Sequence, residues 1–501
     1  LWYEIQLNTS QFNAYGVSFP GAPGVIIGFN DSCAFGFTNG GRDVKEYYRI
    51  RFKDASRNEY WFNNEWKKTT WRVETLAVKD SAAVIDSVAY TIFGPVMYDA
   101  TFSGGKANNG ECYALRWTAH DPSNELKIFM LLDRAKNYDD YTQAANNLNT
   151  PGQNCVFAAK NDDIALRTQG KWPAKWRGQG DFVMPGEDSS YMWQSFIPMN
   201  EVPMQYKPTR GYVSSANQKP ADSTYPYYLG RNYPHFRGWV LNKKLDTMQN
   251  ITADAMMKLQ TDNYNIFAEM ARPLALKYVS TAMLDETEKK YFAELNNWNL
   301  HSDINETGPT IFNLWWDSLE TVVYSDEFKN APAHTKWPFE SSLLDGLLRD
   351  SAYKFIDDIN TPKQETIADA TTLAFKKACT KLKVLEAGGK LAWGKFKDTR
   401  VMHLAKLEPL SRMNLPIGGG NHILNATRDT HGPSWRMVVQ LTAETEAYGV
   451  YPGGQSGNPG SSYYDSFINH WVEGKYYKLW VMKPEETASN KVKHKISFDK
   501  Q

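Results

Sequence analysis

With 501 residues, 42% of them hydrophobic and 14% aromatic, the chain can build a large core, and length alone predicts roughly two to four domains or one large enzyme body. Its 56 Lys and Arg balance 56 Asp and Glu, so no overall field attracts nucleic acid or an anionic membrane. No apolar run approaches transmembrane length, so neither nucleic acid nor membrane is an expected partner.

The first seven residues, Leu1-Trp2-Tyr3-Glu4-Ile5-Gln6-Leu7, already read as a strand. A chain that opens in mid-element, without Met or a signal peptide, is expected to be processed or a fragment. Further strands are expected over residues 15–19, 25–27, 46–52, 71–78, 90–93, 112–117, 155–159, 164–167 and 212–215, mostly separated by Gly, Asn and Asp. Near Asn250 the pattern changes. Thr252 can cap a helix whose apolar positions Met256, Leu259, Ile266 and Met270 recur at helical spacing. Helical patterns continue over 273–279, 284–295, 311–322, 339–359 and 366–387, and strand and glycine-rich character returns over 393–482. The order predicts one interwoven α+β body: a strand-rich core over 1–245, a mainly helical region over 246–392 and a return to the core sheet over 393–501.

Self-contained catalytic signatures are missing from the sequence: there is no HExxH, Walker or EF-hand pattern. Gly454-Gln455-Ser456-Gly457-Asn458 fails the nucleophile-elbow pattern because Asn458 stands where its last glycine belongs. Ser351-Ala352-Tyr353-Lys354 matches SxxK, a pattern short enough to arise by chance, inside an expected amphipathic helix. His120, His235, His422 and His431 lack metal-like spacing and read as structural histidines. Cys33, Cys112, Cys155 and Cys379 form no CxxC pair, which leaves buried thiols and disulfides both open.

Several polar positions resist a purely structural reading. Gly36-Phe37-Thr38-Asn39-Gly40-Gly41 follows a strand-like run and can present backbone N–H groups to a cleft, as an oxyanion hole requires, or form a plain turn. Asn217, in Ser215-Ala216-Asn217-Gln218-Lys219-Pro220, can donate its amide to a developing oxyanion or close an Asx-turn. Asp43-Val44-Lys45-Glu46 offers two carboxylates and a carbonyl to a hard cation such as Ca²⁺, against the alternative of a solvated charge cluster. Three glycine clusters close the chain: Gly418-Gly419-Gly420-Asn421, His431-Gly432-Pro433-Ser434-Trp435-Arg436 and Pro452-Gly453-Gly454-Gln455-Ser456-Gly457. They predict backbone packed tightly at, or in support of, a site.

Taken in order, these fragments resemble the large (β) subunit of the penicillin acylase family of N-terminal-nucleophile amidohydrolases. The likeness spans essentially the whole chain. It is carried by Leu1-Trp2-Tyr3-Glu4, Pro20-Gly21-Ala22-Pro23-Gly24, Gly28-Phe29-Asn30, Gly36-Phe37-Thr38-Asn39, Leu115-Arg116-Trp117-Thr118, Gln153-Asn154, Ala216-Asn217-Gln218-Lys219-Pro220, Tyr225-Pro226-Tyr227-Tyr228-Leu229-Gly230 and the closing glycine clusters. It implies an αββα sandwich with a helical insertion, and a precursor that cuts itself into a small α and a large β subunit. It also implies hydrolysis of the linear amide of an acylated small molecule, in the periplasm or outside the cell. The nucleophile would be the serine that begins the β subunit, a few dozen residues before Leu1, so the chain alone is expected to be inactive.

By the same resemblance, the Asn39 backbone N–H and the Asn217 side chain form the oxyanion hole, and Arg237 supports that network. Asp43, the Lys45 carbonyl and Glu46 fall where family members hold a structural calcium. Glu46 replaces a more usual Asp there, and no organic cofactor is implied. Whether the acyl donor is a β-lactam, a homoserine lactone or another amide stays open. Two other readings are a catalytically inactive ligand-binding protein on the same scaffold and a carbohydrate-binding protein, the latter suggested by 17 Trp and 28 Tyr. Most of those aromatics fall in strand or helix patterns that read as core.

Overall fold

Alternation of apolar side chains builds the first half of the chain. The computed structural model describes residues 2–41, 43–98, 111–231, 233–332 and 335–499, so Leu1 of the opening strand lies outside the described residues. The chain divides into two compact units, Ile5–Gly238 and Leu1–Glu4 with Trp239–Gln501. The leading strands are β1 (Tyr3–Asn8), β2 (Asn13–Ser18), β3 (Ile27–Asn30), β4 (Cys33–Asn39) and β5 (Lys45–Ile50). They are followed by β6 (Glu59–Phe62), β7 (Glu65–Lys68), β8 (Thr70–Leu76), β9 (Val84–Thr91), β10 (Gly94–Tyr98) and β11 (Cys112–Trp117). Then come α1 (Leu126–Leu132), α2 (Tyr138–Ala145), β12 (Gln153–Ala159), β13 (Ile164–Gln169), β14 (Met184–Pro185), β15 (Met204–Tyr206) and α3 (Phe236–Leu245).

These strands form a seven-stranded sheet in the order β1-β2-β3-β4-β12-β13-β15 and a six-stranded sheet in the order β14-β5-β11-β10-β9-β8. In the first sheet, Cys33, Phe35 and Phe37 of β4 lie opposite Ala159, Phe157 and Cys155 of β12. A period of two puts all six on one face, where they pack with Ile128 and Leu132 of α1 and Tyr141 and Ala144 of α2. The intervening residues Thr38 and Asn154 must face the other way. A second core, with Tyr48, Ile50, Phe62, Phe93 and Ala114, belongs to the six-stranded sheet and its neighbours.

The second unit is mainly helical: α4 (Ala253–Gln260), α5 (Ile266–Tyr278), α6 (Glu286–Asn297), α7 (Gly308–Tyr324), α8 (Glu340–Arg349), α9 (Ile367–Ala387) and α10 (Trp393–Lys397). Asp285 and Thr366 close capping boxes at the starts of α6 and α9. Short strands follow as β16 (Thr399–Val401), β17 (Arg412–Leu415), β18 (Arg436–Gln440) and β19 (Glu446–Val450), then α11 (Ile468–Val472) and β20 (Tyr477–Lys478).

Several expectations needed correction. Residues 212–215 form no strand, because the 214–218 segment bonds to itself and to side chains and not to a ladder. The helix expected over 339–359 stops at Arg349, where Asp350 turns extended and its carboxylate accepts the Ala352 N–H at 2.8 Å. Ser351–Tyr353 therefore lies outside a helix, and Lys354 opens a short 3-10 turn that ends at Ile356. The run Leu126–Leu132 is helical; its nearly continuous apolar composition hides the period that would distinguish helix from buried strand. All four cysteines are free thiols.

Candidate functional site

The end of β4 carries the first element of the site. Gly40 N–H donates to Gly152 O at 3.0 Å, which makes Gly40 and Gly152 a hydrogen-bonded pair of the antiparallel ladder. The preceding pair, Asn39 and Gln153, is then of the non-bonded kind, and the Asn39 N–H and C=O point away from β12. On that side the register with β3 ends at Phe35, so β3 does not cover Asn39. Gly152 has no alternative at its position: a Cβ there would lie 1.5 Å from the Trp172 ring.

Asn217 approaches from the uncovered side. Its Nδ2 donates to Asn39 O at 3.1 Å, and its Oδ1 accepts from Arg237 Nη2 at 2.5 Å. These bonds reach across the fold, unlike the local bond of an Asx-turn. Arg237 is always charged and can only donate, so it fixes which end of the amide faces Asn39 and polarises the remaining N–H. The Asn217 backbone sits at φ 68°, a left-handed conformation that asparagine tolerates better than most residues. Gln218 holds this bend, with its Oε1 accepting from Ala216 N–H at 2.6 Å and its Nε2 donating to Ser214 O at 3.0 Å.

A polar line across three strands backs this corner. Thr168 of β13 donates its hydroxyl to Asn154 Oδ1 at 2.8 Å, and Asn154 Nδ2 reaches both Thr38 Oγ1 and Asn39 O at 3.1 Å. Thr38 Oγ1 and Ser215 Oγ share a hydrogen at 2.5 Å. Asn154 and Thr168 are nearly inaccessible, so each buried polar atom in the line is matched by a neighbour, which fixes the loop of Asn217 to the sheet. Sequence reading quoted Asn154 without assigning it this part, and Thr168 and Ser215 were missed as members of a line. The signal was present: a polar residue at the same step of three adjacent strands, on the face opposite the apolar one.

Asp43, Lys45 and Glu46 follow closely in the chain. Lys45 opens β5 with an exposed side chain opposite Trp117. Glu46 is 1% exposed; its Oε2 accepts from the Tyr48 hydroxyl at 2.8 Å and its Oε1 lies 2.6 Å from Lys175 Nζ. The same ammonium lies 3.0 Å from Asp43 Oδ2. Burial raises the Asp43 carboxyl above its ordinary range, and the neighbouring Lys175 opposes that rise. Among the described residues no group of three or more His, Cys, Asp and Glu side chains is arranged to hold a metal ion.

The C-terminal glycine clusters lie in the second unit, and Gly418, Gly419, Gly420 and Arg436 in them are buried. Lys397 Nζ donates to Gly418 O at 2.6 Å and to Thr427 O and Oγ1 at 3.1 Å, and Trp393 Nε1 donates to Gly419 O at 2.8 Å. Arg436, 3% exposed, bonds Asn425 Oδ1 at 2.7 Å and Trp471 O at 3.0 Å. Gln455 pairs with Glu4 as a strand would, accepting from its N–H at 3.0 Å and donating to its carbonyl at 2.9 Å. Within this unit a cavity of about 260 Å³ is lined by Asn265, Asn313, Trp393, Lys397, Gly420 and Arg428, among others.

A family model described as penicillin amidase matches residues 1–488. Among curated proteins, an acyl-homoserine lactone acylase QuiP of Pseudomonas fluorescens is 23% identical over 97% of this chain and 63% of its own length. Penicillin G acylase of Escherichia coli is 24% identical over 64% of this chain and 39% of its own length. The chain thus spans less than two thirds of the curated relatives it matches. Among solved structures, a thermostable penicillin G acylase from Alcaligenes faecalis superposes with a TM-score of 0.73 at 18% identity, covering 100% of this chain and 94% of that one. The mixed helix-and-sheet fold is therefore of the N-terminal-nucleophile hydrolase type.

Proposed function

Because the chain belongs to the penicillin amidase family, we propose that it is the large subunit of an acylase that hydrolyses the linear amide of an acylated small molecule. The observation that carries this reading is the Asn217 amide, oriented by Arg237 toward the uncovered end of β4 where the Asn39 N–H also points. Two N–H donors on one side of a strand end are what a tetrahedral oxyanion requires. One hydrogen of Asn217 Nδ2 engages Asn39 O and the other is directed to the incoming oxygen.

The attacking group is a serine that begins the mature β subunit, N-terminal to residue 1. Its own α-amine, with an ordinary pKa of about 7.7–8.0, is partly neutral near neutral pH and removes the hydroxyl proton through a bridging water. Serine oxygen bonds to the amide carbon, the C–N bond breaks, and the proton passes to the leaving amine. Water then adds to the acyl ester and releases the carboxylic acid and the serine. A small α subunit cut from the same precursor, in the periplasm or outside the cell, completes the acyl pocket.

Relatives named acyl-homoserine lactone acylase align over nearly the whole chain, and penicillin G acylase over 64% of it. A penicillin acylase 2 proenzyme of a Pseudomonas species aligns over 94% of it as well, so N-acyl homoserine lactones and acylated β-lactams are assayed side by side. The test is release of free amine by the full-length protein from an acyl-homoserine lactone and from a chromogenic acyl-anilide. Turnover that Asn217→Ala lowers by roughly 10²–10³-fold supports the reading. A correctly processed protein that binds both amides without cleaving either overturns it in favour of a ligand-binding role.

A further inference from the structure

We propose that the ammonium of Lys175 takes the place of a structural metal ion between Asp43 and Glu46, so that this corner of the fold is built to work without calcium. The inference stands on geometry in the first unit and does not depend on the amide-hydrolysis reading. A calcium ion needs six to eight oxygen ligands at about 2.3–2.6 Å, which requires an open cage of carboxylates, carbonyls and water. Here the position between the two carboxylates is already filled by Lys175 Nζ, 2.6 Å from Glu46 Oε1 and 3.0 Å from Asp43 Oδ2.

The surroundings are shaped for that ammonium. The Lys175 side chain is 2% exposed and that of Glu46 is 0% exposed, so neither can turn to solvent. Gly180 closes the far side, where a Cβ would lie 2.9 Å from Glu46 Oε1 and 3.2 Å from Lys175 Nζ. The Trp193 ring stands 5.7 Å from Nζ, within cation–π range. The cavity beside Asp43 and Lys175 measures about 10 Å³, room for about one water and not for a hydrated divalent ion.

One formal positive charge stands between a buried carboxylate and a half-buried one, with the remaining Glu46 oxygen held by Tyr48; Lys175 Nζ and Glu46 Oε1 meet as an ion pair, with no hydrogen-bond partner for either among the described residues. Lys175 therefore ties the start of β5 to the segment after Trp172, whose ring packs against Gly152 beside the end of β4. It is a positioning residue. A buried pair of this kind is costly to break because one charge is left behind without its partner.

The experiment is calorimetry and metal analysis on the full-length protein. After dialysis against EDTA the wild type is expected to hold no stoichiometric calcium, and its Tm is expected to be the same in EDTA and in millimolar calcium chloride. Lys175→Ala is expected to lower Tm by roughly 5–10 °C and to recover part of the loss on addition of calcium chloride. Should Lys175→Ala fail to fold, Lys175→Met is compared with Glu46→Gln/Lys175→Met, and the double variant is expected to melt higher because no buried charge is stranded. The proposal is overturned by stoichiometric calcium in the wild type, or by calcium raising the wild-type Tm as much as that of Lys175→Ala. A double variant no more stable than Lys175→Met overturns it as well.

Discussion

The corner around Asn217 and the knot around Lys397 are made of the same parts. Each combines glycine-rich backbone, asparagine and cationic side chains that donate to oxygens. In the first, Arg237 takes only the Oδ1 end of Asn217, and the N–H end is turned to the side of β4 that no strand covers. In the second, Lys397, Trp393 and Arg436 bond the carbonyls of Gly418, Gly419, Thr427 and Trp471 from within. One arrangement keeps a donor for a ligand; the other satisfies its acceptors internally. Glycine and asparagine density therefore marks tight backbone, and the direction of the donors decides whether chemistry can follow.

Substitutions that move one region and spare the other sharpen this contrast. Asn217→Ala is expected to reduce kcat by roughly 10²–10³-fold while the melting transition changes little, because it removes an outward donor. Steady-state kinetics beside calorimetry checks both halves; a large loss of Tm would make Asn217 structural. Gly419→Ala is the converse. Gly419 sits at φ +81°, and a Cβ there would meet Asn425 O at 2.0 Å. The expected cost is about 2–4 kcal/mol of stability, read by denaturant unfolding, with kcat of the surviving folded fraction unchanged.

How much of this was legible in the sequence follows from what each signal measures. The strands at 112–117 and 164–167 were readable as short apolar runs of strand length bounded by Gly, Asn and Asp, although neither alternates in burial. The helix Leu126–Leu132 was not, since an apolar run broken only at Lys127 carries no clear period. The Gly36–Gly41 segment and Asn217 stood out by their local glycine-rich and polar sequence, whereas Arg237 and the joining of Asn39, Asn217 and Arg237 in one network came from the family resemblance, because no local pattern links residues so far apart in the chain. Their geometry could not be read, because the φ of 68° at Asn217 and the line from Thr168 through Asn154 to Thr38 are tertiary facts. Lys175 was invisible for the same reason. Nothing near it in sequence announces that its ammonium ends between Asp43 and Glu46.

Smaller effects test the two cations directly. Arg237→Lys keeps the charge but loses the planar fork, so the Asn217 amide is held less firmly. The expected loss is roughly tenfold in kcat with KM little changed, about 1.4 kcal/mol. Equal loss in a variant without any cation, Arg237→Met, would show that the fork geometry and not the charge carries the orientation.

Lys397 gives the most conditional signal. Burial pulls its pKa down to about 7, below the ordinary lysine value of about 10.4. The folded state then holds fewer protons than the unfolded state between those two values. Stability must rise as pH increases from about 7 to about 10, by no more than about 1.4 kcal/mol per pH unit, and the burial cost is present in full below pH 7. The oxygens of Gly418 and Thr427 oppose this, since each stabilises the charged form. Urea unfolding of wild type and Lys397→Met across that window separates the two influences. A slope present in the wild type and missing in Lys397→Met means that burial dominates, whereas identical profiles mean that the carbonyls keep the ammonium charged, as Arg237 stays charged in the other region.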